Sequence, residues 1–291
     1  MASGIDQHHR HHGHAHTHTR TNERHTPTVR SIQLDFKHAL GRRFQRLRGV
    51  VRATVGYEND ALHLSTRTND ADDIDARESF PFGTTTSKQI AFREQLRQWL
   101  EEGVLEPVGE QSTTGEHYTA EYVRRSYAKG VEWADQRMTE QGLDPIDTGD
   151  MQLVFNRPIH RDQLEALYTR DFTNLQDITT DVDESLSRLL TEGLRDGWNP
   201  NRMAARMTEE IRDIERTRAR VLARTEVMHS HNRAAEARYR ERGVSRVEII
   251  ATEPCELCDP FDGKQYPLDE MPLGGPPFHP NCRCSTLPVL N

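Results

Sequence analysis

Val244-Ser245-Arg246-Val247-Glu248-Ile249-Ile250-Ala251-Thr252 carries the strongest strand signature in this chain. Val247, Ile249 and Ala251 alternate with polar or solvent-facing positions, the period of two that sends one set of side chains to a core face. Two residues later the chain reads Cys255-Glu256-Leu257-Cys258, and after 20 more residues His279-Pro280-Asn281-Cys282-Arg283-Cys284. The segment between is rich in Pro and Gly, including Pro272, Gly274, Gly275, Pro276 and Pro277. Upstream, the apolar residues recur at helical spacing. The expected class is therefore α+β: predominantly long α-helices with a small C-terminal β/Cys-rich lobe over residues 245–291.

All four cysteines lie within the last 37 residues, which points to one local site and not a distributed disulfide framework. With His279 they offer five soft ligands where zinc needs four. Cys255, Cys258 and two of His279, Cys282 and Cys284 would staple a lobe too small to fold on apolar burial alone. His279 with Cys282 repeats the spacing of the first pair, so the expected set is Cys255, Cys258, His279 and Cys282, with Cys284 as the alternative ligand and structural Zn as the cofactor. Three other readings stand beside this one. Cys255 or Cys258 could be disulfide-bonded to Cys282 or Cys284, the thiols could be unbound around a turn, or His279 with one cysteine could form a hydrolase pair. Catalysis ranks low, because a nucleophile beside two further thiols oxidises easily and no nucleophile elbow, H-E-x-x-H or phosphate-binding glycine loop occurs.

Working back toward the N-terminus, helices are expected from about Thr217 to Gly243 and from a cap at Asn199-Pro200 along Met203, Met207, Ile211 and Ile214. A longer one runs from Pro158 to Gly197 along Leu164, Leu167, Leu175, Ile178, Val182, Leu186, Leu189 and Leu194. Residues 142–157 read as a loop. A helix over about 116–141 carries Ala120, Val123, Tyr127, Val131, Ala134 and Met138, and another begins at Thr86 or Ser87, carries Phe92, Leu96, Trp99 and Leu100, and stops at Gly103. Residues 57–81 read as an acidic solvated linker around Asp70, Asp72, Asp73 and Asp75, closed by Pro81-Phe82-Gly83. Residues 32–55 read as a basic amphipathic helix with Leu34, Leu40, Phe44, Leu47 and Val51 on one side. Arg42, Arg43, Arg46, Arg48 and Arg52 crowd alongside as candidate contacts to DNA phosphates or a protein surface. Residues 1–31 form a His-rich, low-complexity basic arm with seven histidines between His8 and His18. The expected organisation is thus an arm at 1–31, a helical region at 32–157 and a C-terminal domain at 158–291.

Composition narrows the partners. Hydrophobic residues make up 34% and mean hydropathy is −0.83, so the core is thin and helices supported by partners are expected. No run approaches 18 apolar residues, and the N-terminus lacks the apolar segment of a secretory signal, so no membrane association is expected. Net charge is −8, but residues 1–56 hold ten Lys and Arg against Asp6, Glu23 and Asp35. A basic arm on an acidic body suits an anionic partner, either DNA or an acidic protein surface.

The upstream helix holds Leu222-Ala223-Arg224-Thr225-Glu226, then Asn232-Arg233-Ala234-Ala235, then Tyr239 and Gly243. Arg224 or Glu226, if buried, would bond to the cysteine lobe; a catalytic Arg–Glu pair lacks a third partner. This order, followed by a strand, C-x-x-C, Asp262-Gly263 and Pro276-Pro277-Phe278-His279-Pro280-Asn281-Cys282-Arg283-Cys284, resembles the head-morphogenesis domain of phage Mu protein F-like minor head proteins over roughly residues 160–288. The resemblance implies a virion component and not an enzyme: a minor capsid protein associated with the portal of a tailed virus, assisting head assembly and genome packaging or delivery. The implied partners are the portal protein, the major capsid protein, and viral double-stranded DNA through the basic arm. Its place would be the head interior or the portal vertex. Only Lys37, Lys88, Lys129 and Lys264 are lysines among 38 basic residues, which with abundant carboxylates resembles proteins of salt-loving archaea and their viruses. A Cys/His hydrolase, an Arg224/Glu226 transferase and a zinc-dependent DNA-binding module are the alternatives. The acidic C-terminal half argues against the last.

Overall fold

In the computed structural model the described residues are 27–56, 59–62, 85–107, 115–145 and 149–290. The His-rich segment His8–His18, the Asp70–Asp75 cluster and Pro81-Phe82-Gly83 lie outside them.

Among the described residues seven α-helices and three short strands follow one another: α1 Arg30–Val55, α2 Thr85–Leu100, α3 Ala120–Glu140, α4 Met151–Phe155, α5 Pro158–Arg195, α6 Pro200–Ile214, α7 Arg220–Glu241, β1 Arg246–Ile250, β2 Gln265–Pro267 and β3 Ser285–Val289. Among the described residues helix dominates and strand is confined to the C-terminal lobe, an α+β fold.

The buried face of α1 is Ile32, Phe36, Ala39, Leu40, Phe44, Leu47, Val51 and Val55. These residues step by three and four and pack with α2, α5, α6 and the start of α7 into the largest apolar core. Leu34, assigned to that stripe from sequence, is 42% exposed on the opposite side, because Ile32 and Phe36 set the phase. α2 does not stop at Gly103. It continues through a π-turn, Glu101–Leu105, and ends at Glu106, whose φ of 46° closes the helix in the left-handed region. Glu106 then accepts Arg43 and Arg46 at 2.8 Å each, while the Arg43 guanidinium lies 3.4 Å over the Tyr118 ring. Arg48 faces Glu215 at 3.5 Å. Three of the five α1 arginines expected as outside contacts are thus engaged within the chain, and Arg42 and Arg52 are exposed.

Two further boundaries differ from the periodicity reading. Residues 142–157 are not all loop: Asp150 caps α4 by accepting the Gln152 N–H at 2.9 Å. The two helices expected on either side of residues 214–217 are one unbroken run, because a π-turn at Glu215–Ala219 joins α6 to α7. Asn199 starts this run as expected, accepting the Arg202 N–H at 2.9 Å with Pro200 in the first turn.

α3 and α7 approach so closely that only glycine fits at Gly130. A Cβ there would meet the His231 carbonyl oxygen at 2.2 Å and the Ala234 Cβ at 2.6 Å. Their C-terminal halves hold Trp133, Ala134, Met138, Ala235 and Tyr239 against Val244 and Val247. The sheet built on this surface is antiparallel in the order β2-β1-β3, with Val247 opposite Tyr266 and Pro288, and Ile249 opposite Thr286. Asp262-Gly263 forms the return between β1 and β2: Asp262 Oδ1 accepts the Ala251 N–H at 2.8 Å and Gly263 takes φ 69°.

Candidate metal centre

The four thiols and one imidazole selected from sequence lie together at the end of the lobe. Each expected ligand pair sits on its own tight turn. The Cys258 N–H donates to the Cys255 carbonyl at 2.9 Å, and the Cys282 N–H donates to the His279 carbonyl at 3.1 Å. The second turn needs Asn281 at φ 63°, a conformation that asparagine tolerates better than most residues.

The His279 ring is oriented by its own chain. Its Nδ1 lies 2.7 Å from the Pro280 carbonyl, which can only accept, so Nδ1 carries the proton and the Nε2 lone pair is free. Nε2 faces Cys258 Sγ at 3.1 Å and Cys255 Sγ at 3.3 Å, and Cys258 Sγ lies 3.8 Å from Cys282 Sγ. Around a tetrahedral zinc with Zn–S near 2.3 Å, two sulfurs stand about 3.8 Å apart and a sulfur and a nitrogen slightly less. The cluster therefore can hold a metal ion, as either Cys255, Cys258 and His279 or Cys258, Cys282 and Cys284, with Cys258 common to both groups. None of the four cysteines is disulfide-bonded.

Cys255 is exposed at the rim, whereas Cys258, Cys282 and Cys284 are buried with Ala251 against Phe278. Their acidities separate accordingly. Hydrogen bonds from the Cys284 thiol and from backbone N–H groups pull Cys282 down to about 5 against the opposing effect of burial. Burial pushes Cys258 up to about 12. The backbone N–H of Cys258 lowers the Cys255 thiol. A hydrogen-bond-stabilised thiolate at Cys282, with the Cys284 N–H 3.5 Å from its sulfur, is the form a cation binds.

The upstream motif serves to seat this lobe. Thr225, Asn232 and Tyr239 are spaced by seven, two turns apart on one side of α7. Thr225 Oγ1 accepts the Asn281 N–H at 3.1 Å, Asn232 donates to the Cys284 carbonyl at 2.9 Å, and the Tyr239 hydroxyl donates to the Thr286 carbonyl at 3.1 Å. Trp133 from α3 donates to that same carbonyl at 3.2 Å. Arg233 adds a bond to the Gly274 carbonyl at 2.6 Å.

Arg224 and Glu226 do not act together. Arg224 lines the mouth of the cysteine cluster. Glu226 is buried, pointing away toward α5, where Arg170 holds both its oxygens at 3.0 and 3.2 Å and Asn174 donates at 3.0 Å. It does not bond to the cysteine lobe, contrary to the expectation for a buried Glu226. Sequence reading also missed a buried ionic group behind the lobe. Arg238, with no exposure, forks onto both Asp135 oxygens at 2.7 and 3.0 Å, while Glu241 takes Arg157 and Arg238. Arg238 and Glu241 are one helical turn apart, but Asp135 and Arg157 come from distant parts of the sequence, so no local pattern marks the group.

No helix among the described residues is long and apolar enough to cross a membrane. No curated protein and no solved structure matches the chain. Residues 184–287, from the last third of α5 into β3, match the family model described as Phage Mu protein F like protein, a narrower span than the motif order alone implied. The matched span contains α7, its seating residues and all five cluster residues. Over residues 184–287, then, this chain is similar to the Phage Mu protein F-like family, a likeness that points to a phage head-morphogenesis protein.

Proposed function

We propose that this chain is a structural minor capsid protein that sits at the portal of a tailed virus and assists head assembly and genome packaging or delivery. The lobe is a rigid knob folded around zinc held by Cys255, Cys258, His279 and Cys282, with Cys284 as the alternative ligand. The observation that carries this reading is the seating of the cluster: Asn232 and Tyr239 fix the strand that follows the thiols to α7, inside the family span. A nucleophile–base pair joins one thiol to one imidazole, whereas His279 Nε2 faces two thiols at nearly equal distance, as in a ligand set. The basic N-terminal arm supplies the contact with packaged double-stranded DNA or an acidic portal surface.

Asymmetric reconstruction of the portal vertex in purified particles tests the location. Density for the helical body beside the portal, with a compact lobe, is the expected result. Particles that lack the protein, or that carry it only along the capsid lattice, overturn the assignment.

A further inference from the structure

Beside the cysteine cluster an open groove of about 1210 Å³ runs between the first turns of α1, the π-turn leading into α7, and the lobe. It shares Arg224, Thr252, Glu253, Asn281 and Arg283 with the cluster's mouth. Its charge is one-sided. Arg30, Lys37, Arg216, Arg220, Arg224 and Arg283 line it, and Glu253 is the lone carboxylate among the lining residues. Glu253 is already paired with Arg283, and Arg216 with Asp213. Among the described residues Arg30, Lys37, Arg220 and Arg224 make no ion pair. Burial and the neighbouring Arg283 cation press the Arg224 pKa downward, against the opposing influence of Glu253.

The groove is not purely ionic. Leu34, Val221 and Pro254 also line it, and Leu34 is the exposed leucine that points away from the α1 core stripe. No aromatic ring is among the lining residues. Single-stranded nucleic acid is held chiefly by base stacking on aromatic rings. A duplex presents phosphates and sugars, with nothing to cover an apolar floor. A polypeptide that alternates carboxylates with apolar side chains matches both parts: carboxylates fork onto arginines and apolar groups cover the floor.

We propose that this groove docks an acidic, amphipathic segment of a partner protein, with carboxylates on Arg30, Lys37, Arg220 and Arg224 and apolar side chains on Leu34, Val221 and Pro254. The site adjoins the cysteine cluster and takes in Arg30 at the end of the N-terminal arm, and it does not depend on where in the particle the chain resides.

The test uses the full chain and four labelled probes: a short helical Glu/Leu peptide, its Gln/Leu and Lys/Leu counterparts, and a short DNA duplex. Binding is read by fluorescence anisotropy at physiological ionic strength. The Glu/Leu peptide binds at least about tenfold more tightly than either counterpart or the duplex. The double variant Arg30→Glu/Arg220→Glu, both positions being exposed, abolishes that preference, while Arg161→Glu/Arg195→Glu on exposed α5 positions leaves it intact. Circular dichroism confirms that both variants stay folded, and a Leu34→Ser variant weakens binding if the groove variant fails that check. Equal binding of the Glu/Leu and Gln/Leu peptides, equal losses in the groove and α5 variants, or tighter binding of the duplex overturns the proposal.

Discussion

Asn232 donates its side-chain amide to the carbonyl of Cys284 at 2.9 Å from a position with no solvent exposure. Asn232→Ala strands that carbonyl without a partner, at a cost of about 1–3 kcal/mol. Tyr239→Phe is milder, because Trp133 still donates to the Thr286 carbonyl. Chemical denaturation is expected to rank the two in that order. Equal losses, or no loss at Asn232, would show that the seating bonds do not hold the lobe.

If zinc shapes the lobe, the purified chain holds about one zinc per molecule. Cys282→Ser or a strong chelator then lowers the melting temperature by several degrees. Cys284→Ser discriminates between the two ligand sets: it lowers zinc content as much as Cys282→Ser only if Cys284 is a ligand. Metal analysis and melting with and without chelator give the answer, and unchanged melting in all cases counts against the staple.

At Gly130 two helix backbones are in contact, and neither can retreat as a flexible side chain could. Gly130→Ala is expected to cost about 1–3 kcal/mol or more by overpacking. Gly49→Ala, in a helix with open space around its Cβ, should be neutral or slightly stabilising. Urea unfolding of both variants checks the contrast, which vanishes if α3 and α7 are not this close.

Burial pushes the Glu236 carboxyl up to about 7 despite Arg233 beside it. Unfolding returns it to roughly 4.3. The folded state therefore binds more protons than the unfolded state between those values. The associated stability is fully present below about pH 4.3 and is lost as pH rises through about 7, by at most about 1.4 kcal/mol per pH unit. Glu236→Gln should flatten that slope in a pH series of unfolding midpoints. An identical slope in wild type and variant would remove Glu236 as its source.

Most of the α-helical layout was legible because apolar periodicity reports the face each helix buries; α5 and the Asn199-Pro200 start of α6 follow it closely. The joint between α6 and α7 was not, since a π-turn preserves the helix while shifting the phase of its stripe. β2 and β3 were missed for another reason. They span three and five residues and contain Pro267 and Pro288, so they carry little alternation and hold their place through pairing with β1. At the cluster, the gathering of the four thiols with His279 was readable from the local pattern. The partners of Glu226 and Arg238 were not, because Arg170 and Asp135 reach them from other helices.

The unbroken run from Pro200 to Glu241 has a mechanical meaning. The first half is gripped by α1 and α5 and the second, from Thr225 to Tyr239, carries the cysteine lobe, so torque applied to one half reaches the other through a single stiff spar. A neighbour that seizes α1 thereby aims the knob as well.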